Sequence, residues 1–395
     1  MGTTAVRWEQ RVLPRAENPD LLPRRQRELR DTPYRAAVVP RIADLDVQVA
    51  AHARADADDA SGAITRFDAE FAHFPAPFSG VLLRSESASS SEIEQLTAGA
   101  RAISEAEIDE RVTGNAPQIV RNVRAMEAAI ALADDIGEAT IIAMHRALLA
   151  ESAPSMVGHY RDEQVWIGGR LPHTAEFVPP HQSGVQAAMD DLVAFVRRDD
   201  VPVLVQAAVA HAQFETIHPF PDGNGRTGRA LVQSILRRRG VLQHLTIPVS
   251  SGLLTDLDAY FGALGAYRGG DATPIVEVFA DASLAGVRNA SVLADDLRQL
   301  ESRWDFAMRE LRSDAAARRI ARFSIEHPVL NSRLAVERIG ATRPAVLNGL
   351  AQLVDLGVLR LANSKQRNRV WINDDVVDAL DAFAERSGRR EHPRY

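Results

Sequence analysis

The sequence predicts an all-α fold, a helical bundle with a short β-hairpin, followed by a C-terminal winged helix-turn-helix domain. Apolar residues recur at intervals of three and four along most of residues 36–303, which is the period of amphipathic helices. β-prone runs are concentrated at residues 165–178 and 358–372. The 395 residues exceed the size of one ordinary hydrophobic core, so two or three domains are expected.

The composition is that of a folded protein, with 46% hydrophobic and 25% charged residues. The formal net charge of −7 argues against a whole-protein nucleic-acid scavenger. Because the chain has no cysteine, disulfides, thiolate metal sites and cysteine nucleophiles are excluded. The first residues lack an apolar signal core, and no apolar run reaches about 18 residues, so a cytoplasmic protein without a membrane partner is expected.

The N-terminal region, residues 1–110, is expected to be mainly helical. Residues 1–35 are rich in arginine and proline and predict an irregular arm. Apolar spacing then predicts a helix between about residues 36 and 74. Two prolines and a glycine within residues 74–80 predict a turn, after which helical spacing resumes over residues 81–100.

The central region, residues 111–312, carries further helical patterns around one stretch that is not helical. Helices are predicted over residues 119–133, 138–151, 186–198, 203–217, 226–239, 256–267 and 273–303. Between them, residues 158–180 hold two β-prone runs separated by Gly168 and Gly169. This arrangement predicts a hairpin or flap.

The last region, residues 313–385, predicts a winged helix-turn-helix, because three short helical patterns precede two strands. The helices are predicted over residues 318–326, 332–339 and 343–356, and the strands over residues 358–361 and 369–372. In this fold the second helix of the turn enters the DNA major groove, and here it carries Arg343 and Asn348. Three basic residues lie in the predicted wing: Lys365, Arg367 and Arg369. DNA contact and protein docking are both left open, since a fold alone does not decide a function.

Residues 218–229, HPFPDGNGRTGR, carry the most informative pattern in the chain and lie between two helical segments. Gly223, Asn224 and Gly225 tolerate a positive φ or a close backbone approach where the second helix begins. Backbone N–H groups at such a helix start, together with the positive end of the helix, form a site for phosphate oxygens.

Charged side chains surround this predicted phosphate site. Arg226 and Arg229 lie three apart, so both can reach one polyphosphate from the same helical face. Asp222 offers a hard oxygen ligand for Mg²⁺ shared with the phosphates, and His218 at the other lip is the natural general base. Each feature alone is more often structural or solvent-exposed, but their combination in one short segment favours a single site.

The pattern resembles the motif H-x-F-x-D/E-G-N-G-R-x-x-R of the Fic family at every specified position. The resemblance implies a mostly helical fold and transfer of AMP from ATP to tyrosine, threonine or serine hydroxyls of a target protein. It implies that His218 deprotonates the hydroxyl, that Asp222 holds Mg²⁺ on the α- and β-phosphates, and that Arg229 binds the γ-phosphate. Phe220 would anchor the loop in the core. The implied nucleotide-binding set is Gly223, Asn224, Gly225, Arg226, Thr227, Gly228, Arg229 and, near the base, Tyr260.

A second segment is similar to the flap of Fic proteins. It consists of the run GHYR at residues 158–161, followed by Val165, Trp166 and Ile167. In the family this flap aligns a segment of the target protein by main-chain pairing, a form of β-augmentation.

A third segment resembles most of the family's inhibitory pattern, S/T-x-x-x-E-G/N. Its matching residues are Ser90 and Glu94, while Gln95 stands where glycine or asparagine is usual. The resemblance implies that Glu94 pairs with Arg229 and denies that arginine to the γ-phosphate.

Three alternatives stay open. A transferase with another donor, such as phosphocholine or UMP, would keep the same motif, whereas Gly225 speaks against the phosphate-transferring relatives, which have lysine there. The enzyme could also remove AMP, with Glu94 orienting a water. The winged helix could belong to a transcriptional regulator that uses nucleotide as a signal, although His218 and Asp222 are intact. Self-modification and a homodimer are compatible with the sequence.

Overall fold

The structure, a computed structural model, describes residues 3–13, 32–72, 74, 78–111, 113–313, 315–362 and 369–388, and helices dominate it as predicted. The helices are α1 (Ala51–Phe71), α2 (Phe78–Ile93), α3 (Ala100–Glu107), α4 (Ala116–Ala131), α5 (Glu138–Leu149), α6 (Val185–Val196), α7 (Val203–Ile217), α8 (Asn224–Arg238), α9 (Val249–Leu253), α10 (Leu257–Gly269), α11 (Thr273–Ala307), α12 (Ala316–Glu326), α13 (Ser332–Ile339), α14 (Arg343–Asp355) and α15 (Asp374–Arg386). The strands are β1 (Arg7–Arg11), β2 (Tyr34–Val38), β3 (Val329–Asn331), β4 (Arg360–Leu361) and β5 (Val370–Ile372).

Helix α7 is the centre of the helical body. Every residue from Leu204 to Ile217 is buried, and α1, α6, α8, α10 and α11 pack around this helix. A helix that is apolar on all sides is stable only in such an interior. Helix α8 is likewise buried from Asn224 to Leu236. The short connection between α7 and α8 is therefore fixed at both of its ends.

The prediction for the first 74 residues is wrong in two places. β1 and β2 form an antiparallel sheet where an irregular arm is predicted, and the predicted helix begins only at Ala51. The apolar spacing before Ala51 is satisfied without a helix: Ile42 is buried, and its N–H donates to Asp191 Oδ2 over 2.5 Å. Pro40 also disfavours a helical conformation in the residue before it. Residues 14–31 of the predicted arm lie outside the described residues.

The predicted flap hairpin is present between α5 and α6 as one antiparallel bridge between Ile167 and Phe177. The N–H of Ile167 donates to the carbonyl of Phe177 over 2.8 Å. The turn requires glycine at Gly169, where φ is +67° and a Cβ would lie 2.4 Å from a backbone oxygen. Strand β2 extends this surface, because the N–H of Ala37 donates to the carbonyl of Val178 over 3.0 Å.

The helices and strands predicted for residues 313–385 are present. Thr342 caps α14 by accepting a hydrogen bond from the N–H of Ala345 over 3.4 Å, as its position before Pro344 predicts. Two elements are additional: β3, which joins the sheet in the order β3-β5-β4, and the final helix α15. Lys365 and Arg367 of the predicted wing lie outside the described residues. The division of the chain at residues 110 and 312 and a DNA-binding role stay predictions.

In the part of the chain that the structure describes, we find no helix that combines the length and the apolar character needed to cross a membrane.

Helix α2, which leads to the predicted inhibitory residue, is held by the C-terminal elements. The buried guanidinium of Arg84 pairs with Glu107 of α3 through bonds of 2.6 and 3.1 Å and also donates to the carbonyl of Glu326 at the end of α12. On the other side, Asp381 of α15 accepts the N–H of Ala100 over 3.0 Å. The position of α2 therefore depends on α3 and on the end of α12, and α15 in turn holds α3.

Replacing Arg84 by methionine is expected to lower the free energy of unfolding by about 3–5 kcal/mol, because it leaves the carboxylate of Glu107 buried without its main partner. The loss is measurable by urea unfolding of the full chain. The matched double variant, Arg84→Met with Glu107→Met, removes both charges and should recover most of the stability. A double variant that is as unstable as the single one would contradict this account of the pair.

Candidate active site

The connection between α7 and α8 begins and ends in the left-handed region of φ. His218 ends α7 with a φ of 51°, and Gly223 precedes α8 with a φ of 76°. Between them, Phe220 is fully buried and stacks on His145, with ring centroids 3.7 Å apart. Phe220 thus lies in the core, where the sequence places it, and fixes the middle of the loop.

The side chain of Asn224 closes the loop. Its Oδ1 accepts the N–H of Phe220 and its Nδ2 donates to the carbonyl of Phe220, both over 2.8 Å. Both ends of the amide are thus engaged with the main chain of Phe220, so the side chain of Asn224 mainly shapes the loop, while its backbone N–H lies at the start of α8. The first N–H groups of an α-helix have no carbonyl partner within that helix. Here the N–H of Thr227 is the first that donates inside α8, to the carbonyl of Gly223 over 3.0 Å.

The three glycines between residues 223 and 228 are required for three different reasons. Gly223 combines its positive φ with a position where a Cβ would lie 2.9 Å from Leu148 Cδ2. At Gly225 a Cβ would lie 1.8 Å from Glu94 Oε1, so the absent side chain makes room for that carboxylate. Gly228 faces α7, where a Cβ would lie 2.9 Å from Glu215 Oε1. Roles of Gly228 and of the buried Thr227 in nucleotide binding stay predictions.

Arg226 and Asp222 lie at the mouth of the phosphate site. The Arg226 residue is almost fully buried, and its Nη2 lies 3.7 Å from Asp222 Oδ1. The same Oδ1 accepts the N–H of Gly223 over 2.7 Å, while 61% of the Asp222 side chain is exposed. Asp222 therefore presents a partly hydrated carboxylate beside the helix start.

Arg229 carries a buried positive charge at the centre of the site, since only 3% of its side chain is exposed. Its Nε donates to Ser90 Oγ over 2.8 Å, and its Nη2 donates to the carbonyl of Ser90 over 2.7 Å and to Glu94 Oε1 over 2.9 Å. Burial opposes ionisation of Glu94, but the guanidiniums of Arg229 and Arg226 hold the pKa of that carboxyl below its ordinary value. The structure thus brings Ser90 and Glu94 to Arg229, as the resemblance implies.

Gln95, which follows Glu94, adopts a left-handed conformation that glycine or asparagine would take more readily. Its φ is 62°. The turn at the end of α2 directs Glu94 towards α8, and in this chain that turn costs about 1 kcal/mol of backbone strain.

Arg161 holds His218 in place. Its Nε donates to the carbonyl of His218 over 2.8 Å, and its Nη2 donates to the carbonyl of Pro180 over 2.5 Å, which joins the flap to the loop. Burial, together with the charges of Arg161 and Arg268, lowers the pKa of His218 to about 4. The imidazole is therefore neutral at neutral pH and able to accept a proton.

The remaining predicted residues lie around this centre. The hydroxyl of Tyr260 is buried and lies 2.7 Å from His211 Nε2, so the structure places it in the core next to Arg229. Val165, Trp166 and Ile167 are half-buried on the flap. Contacts of these four residues with nucleotide or target stay predictions. Sequence reasoning placed Arg161 on the flap but not beside His218, because that contact appears only in the folded chain. It also missed Glu215, although a carboxylate three residues before His218 on a helix is a local signal.

The start of α8, with N–H groups that have no partner inside the helix, and the neutral imidazole of His218 thus lie at the two ends of one fixed loop. Residues 135–236 match the sequence model of the Fic/DOC family, and this segment runs from just before α5 into α8. Over this segment the chain is similar to the Fic/DOC family.

Individual relatives match part of the chain as well. The protein adenylyltransferase fic-1 of Caenorhabditis elegans is 30% identical over 155 residues, which are 39% of this chain and 28% of that protein. The protein adenylyltransferase Fic of Nematostella vectensis is 31% identical over 143 residues, which are 35% of this chain and 30% of that protein. The match thus spans less than a third of the length of these curated relatives.

A similar fold has been solved. The crystal structure of a Fic family protein from Desulfovibrio desulfuricans G20 aligns with a TM-score of 0.53 at 22% identity, covering 82% of this chain and 97% of that one. At this identity the likeness concerns the fold alone.

Replacing Asn224 by alanine is expected to open the loop, because it leaves the buried N–H and carbonyl of Phe220 without partners. The free energy of unfolding should fall by about 1–3 kcal/mol, and the affinity for ATP should fall with it, both measured on the full chain. Asn289→Ala is the matched control, since its amide donates to Phe383 at the α15 contact, far from the loop. Unchanged ATP affinity in Asn224→Ala would contradict the role of this side chain.

Proposed function

We propose that this protein is an adenylyltransferase that moves AMP from ATP to a tyrosine, threonine or serine hydroxyl of a target protein, and that Glu94 inhibits it through Arg229. The observation that carries this proposal is the neutral His218 facing the N-terminus of α8 across a loop fixed by Phe220 and Asn224. The Fic/DOC family match and the adenylyltransferase names of the relatives support it.

In the proposed reaction, the phosphates of ATP lie against the first N–H groups of α8, between Arg226 and Arg229. His218 removes the proton of the target hydroxyl while the hydroxyl oxygen attacks the α-phosphorus. The bond from the α-phosphorus to the bridging oxygen breaks, and pyrophosphate leaves. The proton stays on His218 until solvent takes it. The protein supplies positioning and charge stabilisation, as is general in phosphate transfer.

Asp222 fits a role in holding Mg²⁺. Mg²⁺ in nucleotide sites takes one or two protein carboxylates and completes its shell with phosphate oxygens and water. Asp222 is an exposed carboxylate next to the phosphate site, and the N–H of Gly223 orients one of its oxygens. When bound, the metal would neutralise charge on the α- and β-phosphates and on the leaving pyrophosphate.

Inhibition follows from competition for one guanidinium. Glu94 Oε1 lies 2.9 Å from Arg229 Nη2 and fills the space that the absent side chain of Gly225 leaves open. An ionised carboxylate there both occupies the donor intended for the γ-phosphate and repels the phosphate.

A target protein is expected to align on the flap at Val165, Trp166 and Ile167 by main-chain pairing. Self-modification, a homodimer, a cytoplasmic location and contact of the C-terminal elements with DNA stay predictions. One alternative activity has an observation in its favour: Glu94 lies within electrostatic reach of His218, a placement suited to orienting water for removal of AMP. The donor is settled only by experiment.

Transfer of label from α-³²P-ATP tests the proposal in wild type, in Glu94→Gly, and in Glu94→Gly with His218→Ala. Labelling should rise in the single variant, because Arg229 becomes available to the γ-phosphate, and should vanish in the double variant, because the base is lost. Glu92→Gly, two residues earlier at the end of α2, is the matched control and should behave like wild type.

Two outcomes would overturn the proposal. Labelling from γ-³²P-ATP instead of α-³²P-ATP would identify phosphate transfer. Absence of any α-label in Glu94→Gly, despite bound ATP, would favour another donor or a regulatory use of nucleotide.

A further inference from the structure

Glu215 is a buried carboxylate that the proposed reaction does not use. It lies on the last turn of α7, three residues before His218, and only 10% of its side chain is exposed. Among the described residues its Oε1 has no hydrogen-bond partner. Buried polar atoms without partners are rare in folded proteins, and each one calls for an explanation.

The second buried polar atom of interest is Nδ1 of the His218 ring. This atom makes no hydrogen bond of good geometry among the described residues; the backbone carbonyl of Glu215 lies near the ring, and Glu215 Oε2 lies 4.0 Å from Nδ1. Residues three apart on a helix are neighbours, and the left-handed φ of His218 keeps its ring beside the last turn of α7. A side-chain movement of about 1 Å would turn this separation into a hydrogen bond.

We propose that Glu215 is a positioning residue for His218. Its carboxylate accepts the hydrogen on Nδ1 and so keeps the lone pair on Nε2, directed at the target hydroxyl. This inference rests on the proposed function, because it assumes that His218 acts as the base.

The chemistry requires such a partner. A neutral imidazole has one nitrogen that donates and one that accepts, and the hydrogen bond at one nitrogen decides the state of the other. During transfer the proton moves from the hydroxyl to Nε2, Nδ1 keeps its hydrogen, and the carboxylate stays ionised beside the imidazolium. The charges of Arg161 and Arg268 disfavour that cation, and an ionised carboxylate beside the ring offsets their effect.

The packing of α8 leaves room for this carboxylate. A Cβ at Gly228 would lie 2.9 Å from Glu215 Oε1 and 3.2 Å from His211 Nδ1. The space occupied by Glu215 therefore exists because residue 228 has no side chain.

The charge state of Glu215 makes its role visible in a pH profile. Burial raises the pKa of Glu215 to about 7, with Arg229 and Arg268 acting against the shift and Glu94 adding to it. Titratable or charged groups face Glu215 and His218 from α7, α8, α10, the end of α2 and the flap. These groups are His211, Arg229, Tyr260, Arg268, Glu94 and Arg161. Below its pKa the neutral carboxyl donates to Nδ1, which leaves the hydrogen on Nε2 and disables the base. Activity should therefore rise as the pH rises through about 7.

The test compares Glu215→Gln with Glu86→Gln, both in the full chain carrying Glu94→Gly. Glu86 is the matched control: it is also buried with a pKa raised to about 7, but its carboxylate accepts from Ser250. In Glu215→Gln, kcat should fall at least about tenfold at neutral pH with KM for ATP unchanged. Its rise near pH 7 should disappear, because the next group to titrate is His218 with a pKa of about 4. Glu86→Gln should keep both kcat and the profile, and Glu215→Asp should restore the rise near pH 7.

Nitrogen-15 shifts of the His218 ring give a second reading that does not depend on turnover. Above about pH 8 they should show hydrogen on Nδ1 in Glu94→Gly, and a mixture of tautomers in Glu215→Gln. The inference is overturned if Glu215→Gln keeps kcat and the pH profile, if Glu86→Gln shifts the profile equally, or if Nδ1 carries no hydrogen. Loss of α-label in Glu94→Gly with an intact Nδ1 hydrogen would instead count against the proposed function alone.

Discussion

The buried cation of Arg229 is the constraint around which this site is built. A guanidinium with 3% of its side chain exposed requires hydrogen-bond acceptors and a negative charge near it, since an unpaired buried charge is strongly destabilising. Ser90 supplies two acceptors and Glu94 supplies the charge. The nearby carboxylates differ in this respect, because Glu94 stays ionised whereas burial raises the pKa of Glu215 to about 7. An anionic phosphate would meet the same need, which gives the proposed competition between Glu94 and a nucleotide for this arginine its physical basis.

The packing of α7 and α8 fixes the loop that precedes Arg229. Because both helices are buried along their length, the loop between them can adopt left-handed φ at both ends without opening. Arg161 and Asn224 hold this loop from outside and inside, one through the carbonyl of His218 and the other through the main chain of Phe220. The base and the phosphate site are thus kept at a fixed separation by main-chain contacts.

The sequence predicts conformations that are set by neighbouring residues, whereas it gives little sign of contacts between residues far apart in the chain. Residues 218–229 set their own conformation through glycines and a helix start, so pattern alone located the site. The contact between Glu94 and Arg229 joins residues 135 apart, and only a family resemblance could suggest it. Arg161 lies 57 residues from His218, and no local signal indicates its bonds to main-chain carbonyls. The β1–β2 pairing was missed for the same reason, since neither strand alternates cleanly in its sequence.

Glu94 alone is a weak competitor for a triphosphate, because it brings one charge and 39% of its side chain is exposed to water. Its advantage is that it is already on the protein, so its effective concentration at Arg229 depends on how firmly α2 is held. The anchors of α2 are buried and polar: Glu86 accepts from Ser250, and Asn122 donates to the carbonyl of Ser87. Arg84 joins the same helix to α12. The contact between Glu94 and Arg229 therefore depends on the whole α2 assembly, and a change that loosens α12 weakens the support of that contact.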